Sequence, residues 1–219
     1  MPRMARVVVP DYPHHVTQRG NRRQRVFLRA EDWPQYLALV RDACARAETR
    51  VVAYCLMPNH VHFLMVPTQG DGLRAAMADA HRRYTRFVNA REGWRGHLWQ
   101  ERFYSVLMDE AHLRAAIPYV ERNPVRAGLC GAVDEWPWSS AVDTGAAGES
   151  GLVDRQLRAS LLETAAAPAG DSDASDEAIR LHTRTGRPLG DTDFVSRIEQ
   201  WTGRRLRPAR PGRKRTTKG

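Results

Sequence analysis

Two apolar runs, Val51 to Leu56 and Val61 to Val66, flank the pair Pro58-Asn59 and predict an antiparallel hairpin. Pro58 pre-sets φ and Asn59 tolerates the bridge region, which suits the centre of a type I turn. The period of a strand is two, so His60 and His62 share one face while Val61 and Phe63 share the other. His15 to Gln18 reads as an earlier strand, followed by the polar loop Arg19 to Arg25. Trp33, Tyr36, Leu37, Val40 and Cys44 recur in steps of three and four, predicting a helix over 31–48 with one apolar face. A second helix over 73–89, capped by Asp71, turns Met77, Ala80, Tyr84, Phe87 and Val88 inward. Its arginines 74, 82, 83 and 86 lie elsewhere, and His81 is read as a surface or capping residue. Tyr104 to Met108 predicts a strand, and a helix opens at Asp109 or Glu110 and runs to about Arg122. Pro118 lies inside that helix and is expected to kink or shift it, because an amide donor is lost. Val125 to Leu129 continues as a short helix or turn, and Trp136 to Ala141 packs as an irregular cap.

Composition changes after Gly145. Residues 1–144 read as one core domain and 145–175 as an acidic linker rich in Ala, Gly and Ser, with a helical patch near 152–162. Residues 176–203 read as a small helical extension and 204–219 as a disordered basic tail. The net charge is +9, and eight basic residues with no acid lie between Arg204 and Lys218, so everything before them sums to +1. Such a tail seeks a polyanion, nucleic acid before an anionic membrane surface, since no amphipathic helix accompanies it. No run of eighteen apolar residues is present, so no membrane span is expected. The apolar stretch near the N-terminus is too short for a signal peptide. Cys44, Cys55 and Cys130 have no metal spacing and read as small buried hydrophobes of a cytosolic protein.

Chemistry enters with the histidines. Two imidazoles about 7 Å apart along a rigid strand can close on one metal ion, or simply hydrogen-bond at a sheet end. Tyr119 and Asn123 are four residues apart and so lie one above the other on a helix face. A phenol, with its pKa near 10, is a poor nucleophile unless a metal polarises its phosphate target. An amide oxygen from Asn123 would complete three protein ligands, and imidazole with amide oxygen around a phosphate favours Mn²⁺ or Mg²⁺. The loop Arg19 to Arg25 suits phosphate binding, with Gly20 permitting close backbone approach to a ligand. Trp99, Phe103 and Tyr104 could stack on unpaired bases, although core burial accounts for at least two of them.

The segments Met57-Pro58-Asn59-His60-Val61-His62-Phe63 and Tyr119-Val120-Glu121-Arg122-Asn123-Pro124-Val125-Arg126-Ala127-Gly128 resemble the two signature blocks of single-tyrosine HUH transposases. The chain is similar, more narrowly, to REP-associated tyrosine transposases of bacteria. The segments 15–21, 98–103 and 136–140 follow the same pattern, and the resemblance covers about residues 5 to 143. It implies an α+β fold: a ferredoxin-like or RRM-like antiparallel sheet with helices on one face, before a helical extension. It implies that Tyr119 attacks single-stranded DNA to leave a 5′-phosphotyrosine and a free 3′-hydroxyl, with His60, His62 and Asn123 holding Mg²⁺ or Mn²⁺. Palindromic DNA hairpins are the implied partners of a bacterial, cytoplasmic, nucleoid-associated homodimer. By this analogy Arg19, Asn21, Arg22, Arg23 and Arg102 are candidates for DNA contacts. Arg126 is a further candidate, for phosphate or for bracing its helix. Three alternatives stand beside this reading: a hairpin-binding regulator that no longer cleaves, a metal phosphodiesterase using activated water, and a purely structural Tyr119.

Overall fold

Alternating apolar residues on four strands bury both faces of one sheet, and the computed structural model describes it within residues 4–143, 150–164 and 172–208. In chain order the first part comprises β1 (His14–Arg19), α1 (Asp32–Arg46), β2 (Thr49–Met57), β3 (His60–Pro67), α2 (Gly72–Glu92) and β4 (Tyr104–Leu107). Then come α3 (Glu110–Glu121), α4 (Asn123–Arg126), α5 (Ser140–Asp143), α6 (Arg155–Thr164), α7 (Ser172–Thr185) and α8 (Thr192–Thr202). The strands lie in the order β2-β3-β1-β4, every neighbouring pair antiparallel. This βαββαβ unit is the ferredoxin-like arrangement that the resemblance implied.

Strand parity decides what each face meets. Val16, Tyr54, Leu56, Val61, Phe63 and Met65 pack against α1 and α2. Cys55, Met57, Leu64, Val66 and Val106 pack instead with Leu113, Ala116 and Val120 of α3 and Ile179 of α7. Helices on one face therefore describe α1 and α2, while the histidine face has its own cover. A register shift between Val51 and Ala53 sends Val52 and Ala53 together to the second face. Each fully buried Leu or Phe contributes about 1.5–3 kcal/mol, so apolar burial dominates the packing of both layers.

Polar contacts fix how α1 meets α2. Asp32 is fully buried, accepts from the backbone N–H of Leu28 and Arg29, and forms a two-pronged ion pair with Arg91. Burial alone would raise its pKa, but the Arg91 hydrogen bonds and the two amides hold it below the usual value. His81 is no surface residue: it shares the inward stripe of Met77, Tyr84 and Val88, bonds the Tyr36 hydroxyl at 2.9 Å and packs on Trp99 at 4.4 Å. Asp71 makes no cap hydrogen bond, its carboxylate being taken by Arg74 at 2.7 Å. Cys130 is half-buried, unlike buried Cys44 and Cys55. Trp99 and Phe103 are buried, while Tyr104 is half-buried.

Segments after residue 123 bond to the outer strands, along most of β2 and at one end of β4. Along β2, Leu56 donates its N–H to Trp138 O and its carbonyl accepts from Trp136 Nε1 at 2.8 Å. Tyr54 N–H donates to Ser140 Oγ, Val52 O accepts from Arg158, and Val51 O accepts from the Asp154 amide. At the end of β4, Leu107 O accepts from the Leu189 amide, and the amide of Asp109, just past the strand, donates to Leu189 O. Residues 204–208 also belong to the folded body: Leu206 is 1% exposed and Arg204 donates to the carbonyls of Ala5 and Arg6. The rest of the expected tail, 209–219, and the linker stretches 144–149 and 165–171 lie outside the described residues.

Candidate active site

β1 and β3 bring the first half of the site together. Thr17 pairs with His62 and Arg19 with His60, so these four side chains share a face, with His15 diagonal to His62. The two residues of the hairpin turn both keep negative φ, and Asn59 Nδ2 donates to Arg23 O at 3.2 Å. That bond turns Asn59 Oδ1 toward His60 Nδ1, 2.6 Å away. His60 therefore carries its hydrogen on Nδ1, leaving the Nε2 lone pair for a ligand.

α3 brings the second half. Asp109 caps it by accepting from the His112 amide, and the helix runs through exposed Pro118 to Glu121. Tyr119 is 5% exposed, its ring edge-on to His62 and His15 at 6.2 and 5.8 Å. Its hydroxyl makes no hydrogen bond among the described residues, so the phenol is not tied down as a structural group would be. Asn123 Nδ2 donates to the carbonyls of Tyr119 and Val120, which leaves Oδ1 as the free end of the amide. Arg126 lies over the Tyr119 ring at 4.8 Å and pairs with buried Asp176 at 2.8 Å, while it also lines the pocket.

These groups line one pocket of about 460 Å³ with Gln18, Gln100, Tyr104 and, from α7, Arg180, Thr183 and Arg184. Arg19 and Arg184 have no ion-pair partner among the described residues and bring positive charge to it. Burial, then the Arg19 charge, pushes the His60 imidazole down to about 4. Burial, followed by His60, His15, Arg126 and Arg19, holds His62 well below its ordinary value. Both are neutral near pH 7, the form in which imidazole ligates metals. Among the described residues no three His, Cys, Asp or Glu side chains assemble into a metal-holding group. A cation here would be bound by two imidazoles and the Asn123 amide oxygen, a donor set that suits Mg²⁺ or Mn²⁺ with water and phosphate oxygen completing the shell.

The other candidates are dispersed. Asn21, Arg22 and Arg23 form a 3-10 turn beside the pocket, Arg22 and Arg23 with left-handed φ of 52° and 62°. Gly20 approaches its own chain and not a ligand: a Cβ there would stand 2.3 Å from Gln24 O. Arg102 lies in a separate basic groove of about 710 Å³ between α2 and residues 96–103. Sequence reasoning missed His15, Asn59, Thr183, Arg180 and Arg184. Strand alternation through Thr17 could have found His15, whereas nothing local marks the three residues of α7.

The family model described as "Transposase IS200 like" matches residues 8–123. A Haemophilus influenzae protein described as a candidate REP-associated tyrosine transposase is 29% identical over 117 residues, which cover 48% of this chain and 66% of that one. The solved structure of a REP-associated tyrosine transposase bound to a REP hairpin superposes with a TM-score of 0.57 at 18% identity, covering 68% of this chain and 88% of the other. The likeness to that structure is one of fold. With a match that spans β1 to Asn123 and so takes in His60, His62, Tyr119 and Asn123, the chain belongs to the IS200-like transposase family and is similar within it to the REP-associated tyrosine transposases.

Proposed function

We propose that this chain cleaves and rejoins single-stranded DNA at hairpin-forming palindromic repeats through a covalent tyrosine intermediate. The observation that carries the reading is one pocket holding an unbonded Tyr119 hydroxyl beside His60, His62 and Asn123. Tyr119 Oη attacks phosphorus, and an Oη–P bond forms as the bond from phosphorus to the 3′ oxygen breaks. The phenol proton passes to water and the leaving 3′ oxygen takes one up, giving a 5′-phosphotyrosine and a free 3′-hydroxyl. Attack by a 3′-hydroxyl on the phosphotyrosine reverses the step, and one ester replaces another, so no energy source is needed. His60 and His62 through Nε2, with Asn123 Oδ1, would hold Mg²⁺ or Mn²⁺. Such a cation supplies Lewis-acid polarisation of the scissile phosphate and charge relief at the leaving oxygen. Arg126 keeps the Tyr119 ring in place through its face, and Arg19 and Arg184 steer the DNA phosphates. The REP hairpin bound by the structural neighbour supports hairpin DNA as the partner class. A homodimer belongs to the same proposal and is read by sedimentation.

The test is incubation of wild type, Tyr119→Phe and His62→Ala with labelled single-stranded hairpin DNA and Mn²⁺ or Mg²⁺, run on a denaturing gel. Label should migrate with the wild-type protein and with neither variant. Cleavage without a protein adduct would point to water as nucleophile, and hairpin binding without cleavage to a regulator.

A further inference from the structure

α7 lies beyond the family match, yet Thr183 reaches a histidine behind the pocket wall. We propose that Thr183, acting through His15, sets the tautomer of His62 and with it the ability of the pocket to bind a divalent cation. The inference deepens the reading of the pocket just given and rests on it for the cation alone.

The chain of hydrogens runs in one direction. Thr183 Oγ1 donates its single hydrogen to Ile179 O at 2.7 Å. His15 Nδ1, 3.2 Å from the same oxygen, must therefore be the donor to it. His15 is 1% exposed, and such burial disfavours a charged ring, so it holds one ring hydrogen, assigned to Nδ1 by the Thr183 contact. Its Nε2 is left as an acceptor, and the 3.0 Å bond to His62 Nδ1 requires the hydrogen on His62. The ring centroids lie 5.2 Å apart with planes within 6° of parallel, a separation that fits an end-to-end bond between the imidazoles. Neutral His62 then has a bare Nε2. Asn59 imposes the same state on His60 from the hairpin turn, so both imidazoles of the His-x-His present lone pairs.

Without the Thr183 hydroxyl the order can reverse. His15 would keep its hydrogen on Nε2 and donate it to His62 Nδ1, and the hydrogen of His62 would move to Nε2, where it blocks a cation. No proton is gained or lost in the exchange. Thr183 is thus a positioning residue, with a role that a helix-packing threonine would not have.

The experiment uses the full chain, metal-free and labelled with ¹⁵N, comparing wild type, Thr183→Val, Thr183→Ala and Thr183→Ser. Imidazole-nitrogen NMR reads which ring nitrogen of His62 bears hydrogen, and calorimetric titration with Mn²⁺ alone reads affinity. Wild type should carry the His62 hydrogen on Nδ1. Thr183→Val and Thr183→Ala should move a measurable share to Nε2 and weaken Mn²⁺ binding about 10-fold, the lower end of the effect of groups that orient metal-binding histidines. Thr183→Ser should restore both. A wild-type hydrogen on Nε2, an unchanged tautomer in the variants, or a changed tautomer with undiminished Mn²⁺ affinity would each overturn the proposal. No Mn²⁺ binding by wild type would sink the cation reading of the pocket, while the spectra still decide the relay.

Discussion

His14 is held neutral from two sides: its Nδ1 donates to Tyr12 O at 2.8 Å and its Nε2 accepts from the Val9 amide at 3.3 Å. Burial pushes it down to about 4, and burial pushes His81 down to about 3. Folded values below the unfolded 6.5 mean that the unfolded chain takes up protons first as the pH falls. Their stabilisation is therefore complete above about pH 6.5 and is lost progressively toward pH 3 to 4. By pH 5 each should have given up about 2 kcal/mol, before carboxylate protonation contributes. Urea midpoints at pH 7, 6 and 5 should fall steadily, and a midpoint flat over that range would contradict the prediction. The same scale shows where sequence reasoning succeeded. The parity of β3 placed His60 and His62 on one face and the four-residue step placed Asn123 over Tyr119, because both follow from local periodicity. His81 was misread because an imidazole on a helix carries no mark of whether a tyrosine waits across the interface. Thr183 stands 168 residues from His15 along the chain, and nothing but tertiary packing joins them.

α3 carries Tyr119, and its orientation is fixed at its far end by a small polar network. Glu121 Oε1 accepts from Ser140 Oγ at 2.7 Å and from Arg158 of α6 at 2.9 Å, and Arg158 also donates to Val52 O. Both charged side chains are largely buried, so removing one strands the other. Arg158→Leu should cost about 3 kcal/mol, and the double variant Arg158→Leu, Glu121→Leu less than the sum of the two single changes. Denaturant melts of the four proteins give the coupling, and strict additivity would refute it. Pro118 is exposed, and the helix continues past it to Glu121. The helices α1 and α2 and the β2–β3 hairpin were legible from their apolar periods and runs. The role of Trp136 to Ser140 was not, because a segment that hydrogen-bonds along a strand edge has no period of its own.

For the whole molecule, charge is concentrated at the C-terminus. Folding takes in residues 204–208, so the part of the tail beyond the described body holds Arg210, Arg213, Lys214, Arg215 and Lys218. Removing 209–219 should lower the salt dependence of single-stranded DNA binding by up to about 3.5 in log–log slope, at about 0.7 per neutralised phosphate. Sequence preference among hairpins should not change, since phosphate contacts position without specifying. Filter binding across a salt series measures both, and an unchanged slope would remove the tail from the interface.

The bonds that Trp136, Trp138, Ser140, Asp154, Arg158 and Leu189 make to the outer strands also govern how copies of this chain can meet. An open strand edge is a template for pairing with another molecule, and here β2 is bonded along most of its outer edge and β4 at Leu107. Self-association by adding a strand to β2 is closed off, which turns any dimer toward the other surfaces of the molecule. A polypeptide cut back to the family-matched block ending at Asn123 would expose the β2 edge and the Leu107 end of β4. Such a fragment is expected to aggregate, whereas the longer chain stays dispersed, a difference that light scattering during refolding would show.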